Sequence, residues 1–175
     1  SPRDTTSPTD ARSNCASPLC ETLPMGFFRS LVRSSCDLNA RLRRVPQIEA
    51  TELLAETNGT ADSPSGRAIV VDVRPLAERV VSIIPGAIAA ETFEPTRHLA
   101  PGDRVVAYCT AGFRSANYAA RLRRHGIDAV NLRGGLYAWC DGDGPLVDDR
   151  NEPTRRVHIY RKGLSLLADG YEPVW

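Results

Sequence analysis

Residues 104–125 read RVVAYCTAGFRSANYAARLRRH, and this stretch decides the fold. After Arg104, Val105 to Tyr108 is a run of apolar, partly β-branched residues with no alternation, the pattern of a strand buried on both faces of a parallel sheet. Cys109 ends it, a short loop of Thr110, Ala111, Gly112, Phe113 and Arg114 follows, and Ser115 opens a helix running to His125. Ala116, Ala119 and Ala120 give that helix a small-residue face suited to close packing on a sheet. Arg121, Arg123, Arg124 and His125 complement its negative end, and Gly126 is a good stop.

The same alternation extends in both directions. Upstream, Ala68 to Val71 is a second buried strand running into Asp72-Val73-Arg74, with Pro75 at the first position of a short helix through Arg79. Thr51 caps a helix over Glu52 to Glu56 that Asn58-Gly59 stops, and Thr60 to Gly66 is a loop by composition. A further short strand spans Ala87 to Ala89 after the Pro85-Gly86 turn, and Pro101-Gly102-Asp103 is another turn. Downstream come a strand at Ala129 to Leu132, a Gly134-Gly135 turn and a helix through Leu136 to Trp139. Strands alternating with short helices predict an α/β protein, a parallel sheet covered by helices on both faces.

The flanks differ in character. Residues 1–24 are rich in Ser, Thr and Pro without periodicity and read as disordered. Residues 25–47 carry Arg29, Arg33, Arg41, Arg43 and Arg44 against one acid, Asp37. That composition resembles an organelle transit peptide, pointing to a plastid or mitochondrion. A solvated basic linker of a cytoplasmic protein is the competing reading. Met25-Gly26 with Ser30 matches a myristoylation signal if translation starts at Met25. The chain begins at Ser1 rather than Met, as a fragment or a processed chain would. The expected organisation is therefore a disordered, targeting-like segment over 1–44, a compact α/β domain over 45–147 and an extension over 148–175. In that extension Val157, Ile159, Tyr160, Leu164, Leu166, Leu167, Tyr171 and Trp175 are too apolar for a solvated tail, so it is expected to dock on the domain or on a partner.

Composition excludes several classes. The 175 residues are 42% hydrophobic and 25% charged, ordinary for a globular domain. With 22 basic and 21 acidic residues the net charge is +1, a poor endowment for gripping nucleic acid. The longest uncharged apolar stretch, Val80 to Ala90, is broken by Pro85 and is shorter than the roughly 20 residues of a membrane span. Five cysteines with no C-x-x-C argue against a disulfide framework and for a reducing compartment. His98, His125 and His158 are isolated, so no metal site and no cofactor is expected.

Chemistry concentrates at Cys109. It stands at the carboxyl end of a buried strand, where ligands bind in open parallel sheets. Amides from Thr110 to Ser115, with the positive end of the following helix, can converge on the sulfur and favour a negative charge there. A nucleophile is thus prepared without a general base. Arg114 offers a fork of donors to an anionic substrate. Asp72 and Arg74 end a strand at the same edge and, with Glu78 of the following short helix as a pairing neighbour, are read as supports that hold the loop.

The segments VVDVRPLAE, IIPGA, RVVAYCTAGFRSANYAARLRRHGI and VNLRGGLYAW resemble a single-domain rhodanese, a sulfurtransferase of the rhodanese-like superfamily. The resemblance covers Val45 to Val147 and implies a three-layer fold with five parallel strands. It implies a persulfide on Cys109, loaded from a small sulfur donor such as thiosulfate with release of sulfite. The sulfur then passes to cyanide, a small thiol or a protein cysteine. Thr110, Ala111, Gly112, Phe113, Arg114 and Ser115 would bind substrate. One departure stands out: rhodanese-like domains often carry Gly-His-Ile-Pro-Gly-Ala, and here Ser82-Ile83-Ile84-Pro85-Gly86-Ala87 takes its place. Related phosphatases and arsenate reductases place five residues between Cys and Arg; the four here make a cradle suited to one sulfur atom rather than a tetrahedral oxyanion.

Blander readings accompany each of these. Cys109 can be an inert buried thiol and Arg114 a surface ion-pair partner. The domain can be a non-catalytic rhodanese-type binding or regulatory module, or a redox switch acting through Cys109. Cys140 is a partly buried helix-end thiol or a resolving partner of Cys109. Cys15, Cys20 and Cys36 are read as bystanders, and Trp139, Gly134 and Gly135 as packing and turn residues.

Overall fold

In the computed structural model, which describes residues 25–59, 66–159 and 166–175, the chain alternates strands and helices as expected. The elements run α1 (Met25–Leu42), β1 (Gln47–Ile48), α2 (Ala50–Thr57), β2 (Ala68–Asp72), α3 (Leu76–Arg79), β3 (Ile88–Ala89), α4 (Pro95–His98), β4 (Arg104–Tyr108), α5 (Phe113–Arg124), β5 (Ala129–Leu132), α6 (Gly135–Asp141), β6 (Arg156–His158) and β7 (Glu172–Val174). The first five strands form one sheet in the order β1-β5-β4-β2-β3, every pair parallel. That puts β2 and β4, whose carboxyl ends bear Asp72 and Cys109, side by side at its centre.

The continuous apolar runs have the predicted consequence. Val70, Val106 and Val130 face one cluster with Leu53, Leu132, Leu136 and Trp139; Val71, Val105, Ala107 and Ala129 face the other with Tyr118, Ala119 and Leu122. Helices α2 and α6 thus cover one face and α5 the other, giving three layers. Val71, Val105 and Val106 expose nothing to solvent. Each contributes about 1.5–3 kcal/mol by burial, against roughly 0–1 kcal/mol for an exposed ion pair, so the sheet core holds the fold.

Several boundaries differ from expectation. Helix α2 starts at Ala50 with Glu49 at its cap position, so Thr51 lies inside it. Pro75 is the cap of α3 rather than its first residue. Helix α5 starts at Phe113, two residues before Ser115, because Gly112 takes a left-handed φ of 98° and turns the chain early. The largest difference is at the amino-terminal side. The segment 25–44, expected to be disordered, contains α1. Its Cys36 and Ala40, one turn apart, are buried against the body, and Val32 packs one turn earlier. Asp37 accepts three hydrogen bonds from Arg133 (2.5–3.1 Å), and Glu49 accepts from Arg133 and Arg33. This narrow small-residue face, held by partners nearly 100 residues away, has no local signature.

In the extension, β6 and β7 pair in parallel, and Val157, Ile159, Leu166 and Tyr171 are buried. The Tyr171 hydroxyl donates to the Gly144 carbonyl (2.8 Å), while Trp175 is exposed. The readings placed on residues 1–24, 60–65, Tyr160 and Leu164 lie outside the described residues. Among the described residues no helix is long and apolar enough to cross a membrane, and no three His, Cys, Asp or Glu gather to hold a metal.

Candidate active site

Cys109 leaves β4 and the chain folds back on itself within four residues. The Gly112 amide donates to the Cys109 Sγ at 3.2 Å. The Ser115 hydroxyl, one turn into α5, lies 3.4 Å from the same sulfur. The helix's own ladder begins with Ala116 donating to the Gly112 carbonyl (3.3 Å), so residues 113–115 form the positive end of α5 beside the thiol. The sequence predicts six converging amides; the Gly112 amide and the Ser115 hydroxyl lie at the sulfur, with the helix end behind them. The arrangement still favours negative charge on Sγ. Cys109 is only 2% exposed, yet it lines a cavity of about 240 Å³ with Thr110, Ala111, Phe113 and Arg114. Phe113 stands half exposed at that mouth.

Arg114 does not present an empty fork. Its Nη1 and Nη2 donate to the two carboxylate oxygens of Glu78 (2.7 and 2.9 Å), and Nη2 also donates to the Thr110 hydroxyl (2.9 Å). Thr110 in turn donates to Glu78 (2.8 Å). Burial would push the Glu78 carboxyl up, but the donations of Arg114 and Thr110 and the charges of Arg114 and Arg74 hold it below its ordinary value. The hydrogen bonds to Glu78, opposed by burial and aided by the Cys109 sulfur, raise Arg114 further.

Asp72 and Arg74 lie next door but pair with each other. Arg74 Nε and Nη2 grip Asp72 (2.6–3.1 Å), Nη2 donates to the Ser82 carbonyl (2.6 Å), and the Arg74 amide donates to Asp72 (2.9 Å). The Tyr108 hydroxyl donates to Asp72 (2.5 Å) and accepts from the Ile84 amide (3.1 Å). The Ser82-Ile83-Ile84 turn, the one departure from the resembled pattern, is held by the Arg74 bond to the Ser82 carbonyl, by the Ile84 bond to Tyr108 and by Ile83 pairing with Val147.

Some residues that shape the site were not singled out from sequence. The amides of Leu136 and Tyr137 donate to the carbonyls of Cys109 and Thr110 (2.8 and 3.1 Å), so the start of α6 buttresses the loop. Gly135 has φ 58°, and a side chain there would collide with the Cys109 carbonyl oxygen. It is a glycine of close approach rather than a turn residue alone. Asn131 accepts from Ser115 (2.7 Å) and donates to Gln47 (3.3 Å), which donates to Asp37 of α1 (3.3 Å). A polar residue inside the buried strand β5 was the available signal for Asn131. Cys140 is buried on α6, and its thiol is pushed up to about 12 by burial first and Asp141 next.

The comparisons agree with this geometry. The family model for the rhodanese-like domain matches residues 50–141. A sulfurtransferase of Allochromatium vinosum is 36% identical over 107 residues, 59% of this chain and 95% of that protein. A tRNA sulfurtransferase of Desulfurococcus amylolyticus is 40% identical over 81 residues, 46% of this chain but 17% of that longer protein. The crystal structure of a thiosulfate sulfurtransferase from Pseudomonas aeruginosa superposes with a TM-score of 0.52 at 23% identity, over 71% of this chain and 24% of that one, a likeness of fold. A buried parallel sheet, a cysteine loop at its carboxyl edge and a family model spanning most of both place this chain in the rhodanese-like domain family, among relatives named as sulfurtransferases.

Proposed function

We propose that Cys109 carries sulfane sulfur as a persulfide between an anionic, thiosulfate-like donor and a thiophilic acceptor. The observation that carries the reading is the Cys109 sulfur at the wall of an open cavity, with the Gly112 amide at 3.2 Å and the Ser115 hydroxyl at 3.4 Å. The Cys109 thiolate attacks the outer sulfur of the donor. A new S–S bond forms, and the donor's own S–S bond breaks with the electron pair leaving on sulfite. An acceptor thiolate or cyanide then attacks the outer persulfide sulfur, and Cys109 departs as thiolate. The Gly112 amide holds the negative charge at each stage without moving, and the Ser115 hydroxyl joins it by turning its one proton from Asn131 to the sulfur.

Arg114 supports this as a group that changes partner. With Glu78 beside it the mouth is close to neutral, so an incoming sulfonate competes with a carboxylate for the same guanidinium edge. Phe113 and Arg114 frame an exposed rim, the side from which an acceptor thiol would approach the cavity.

The test is to load reduced protein with thiosulfate and measure intact mass. One added sulfur, removable by cyanide and absent in Cys109→Ser, is the expected result. No adduct and no thiocyanate above background would overturn the reading. A partner bound equally by the wild type and by Cys109→Ser would then favour a non-catalytic module.

A further inference from the structure

Cys36 was read from sequence as a bystander, yet it sits on the face of α1 that lies across the Cys109 loop. Two neighbours on that face bracket it. Val32, one turn before, shares with Ala111 of the loop the wall of a cavity of about 270 Å³. Asn39, one turn after, donates to the Phe113 carbonyl (3.3 Å) and to Asn117 of α5 (3.4 Å). Cys36 is 4% exposed between them. The adjacent Asp37 is tied through Gln47, Asn131 and Ser115 to the Cys109 sulfur. Burial first, then the charge of Cys109 and that of Asp37, push the Cys36 thiol up to about 11. The strongest charges on Cys140 are instead Asp141, Arg74 and Arg155.

We propose that Cys36 is the resolving thiol of Cys109: peroxide oxidises Cys109 to a sulfenic acid, and Cys36 condenses with it to an intramolecular disulfide that ties α1 to the loop. In the first step the Cys109 thiolate attacks one peroxide oxygen, the O–O bond breaks and hydroxide leaves, so the sulfur is oxidised to S–OH and the peroxide reduced. In the second, the Cys36 sulfur attacks the Cys109 sulfur and the S–O bond breaks. The departing hydroxyl takes the Cys36 proton and leaves as water. The division of labour follows from the surroundings. Cys109 lines a cavity that admits a molecule the size of peroxide, with the Gly112 amide at 3.2 Å from its sulfur. Cys36 is sealed from solvent at 4% exposed, so an oxidant entering the cavity meets Cys109 first. The bond requires the α-carbons of the two residues to come within about 7 Å, and the cavity that Val32 and Ala111 share lies between the helix and the loop that must approach.

The full reduced chain is treated with hydrogen peroxide, free thiols are alkylated, and peptides are mapped by mass without reduction. A peptide pair joining Cys36 to Cys109 is expected, and in Cys36→Ser that pair is lost while Cys109 keeps a sulfenic acid trapped by a 1,3-diketone. A bridge from Cys109 to Cys140 or to another cysteine would overturn the proposal, and so would an alkylated Cys36 beside an oxidised Cys109 in the wild type. The wild-type map alone decides if Cys36→Ser does not fold. Thiosulfate loading is measured separately on reduced protein, so this proposal and the sulfur-carrier reading fail independently.

Discussion

Two arginines follow the two central strands, and each holds a carboxylate that also accepts a hydroxyl. Arg74, after β2, pairs with Asp72, on which the Tyr108 hydroxyl donates; Arg114, after β4, pairs with Glu78, on which Thr110 donates. The chemistry is the same and the setting is not. The Arg74 and Asp72 side chains are 0% and 1% exposed, whereas Arg114 is 33% exposed over a 7% exposed Glu78. A sealed pair cannot exchange its partner for water or substrate, so it serves the fold by fastening the turn at Ser82 and Ile84 to the sheet. A pair open on one side can let go. Position at the cavity mouth, rather than residue type, separates support from site.

The sharpest way to break that contrast is to remove each arginine. Arg74→Ala strands a buried carboxylate and is expected to cost about 3–5 kcal/mol, read as a lower urea midpoint. Arg114→Ala leaves Glu78 able to reach water through the mouth and is expected to cost about 1 kcal/mol or less, while sulfur transfer from an anionic donor falls at least about ten-fold. Equal losses of stability would erase the distinction.

The two hydroxyls sharpen it at a smaller scale. Tyr108→Phe removes a donor from Asp72 and leaves the buried Ile84 amide without its acceptor, an expected cost of about 1–3 kcal/mol. Thr110→Val takes one bond from a carboxylate that keeps both Arg114 donors, an expected cost of about 0.5–1.5 kcal/mol. Chemical denaturation of both variants checks the order.

Ser115→Ala probes the sulfur itself. A hydrogen bond to a charged group is worth about 1.5–3 kcal/mol, so loss of this hydroxyl is expected to slow transfer roughly ten- to a hundred-fold if it stabilises the thiolate or persulfide. Unchanged turnover would assign Ser115 to Asn131 and the scaffold alone.

What the chain discloses before folding depends on whether the cause is local. The strands β2, β4 and β5 announce themselves because parallel strands buried on both faces must be apolar without interruption. The cysteine loop is visible because it joins one such strand directly to a helix. Helix α1 is hidden because its buried face is Val32, Cys36 and Ala40 and its anchors are Arg133, Asn117 and Phe113, all supplied by tertiary structure. Arg114 and Glu78 were both singled out, but their pairing spans 36 residues and left Arg114 looking free. Gly135 and Asn131 act on the loop only through space, so nothing near Cys109 in sequence points to them.

The finest cut is pH. The Glu78 carboxyl is held below its ordinary value, by donors that outweigh burial. Its contribution to stability is therefore fully present above the unfolded value of about 4.3 and is lost as pH falls through the lower folded value. Wild-type stability is expected to decline across that acid window, and Glu78→Gln, which cannot ionise, to lack this component of the slope. At neutral pH the same substitution frees the Arg114 fork while leaving the loop's donors to sulfur in place. The KM for an anionic donor is then expected to fall with little change in kcat, because the guanidinium no longer has to leave a carboxylate to receive a sulfonate. If KM rises instead, Glu78 is positioning Arg114 for the donor rather than competing with it, and the open pair is as much a part of the scaffold as the sealed one.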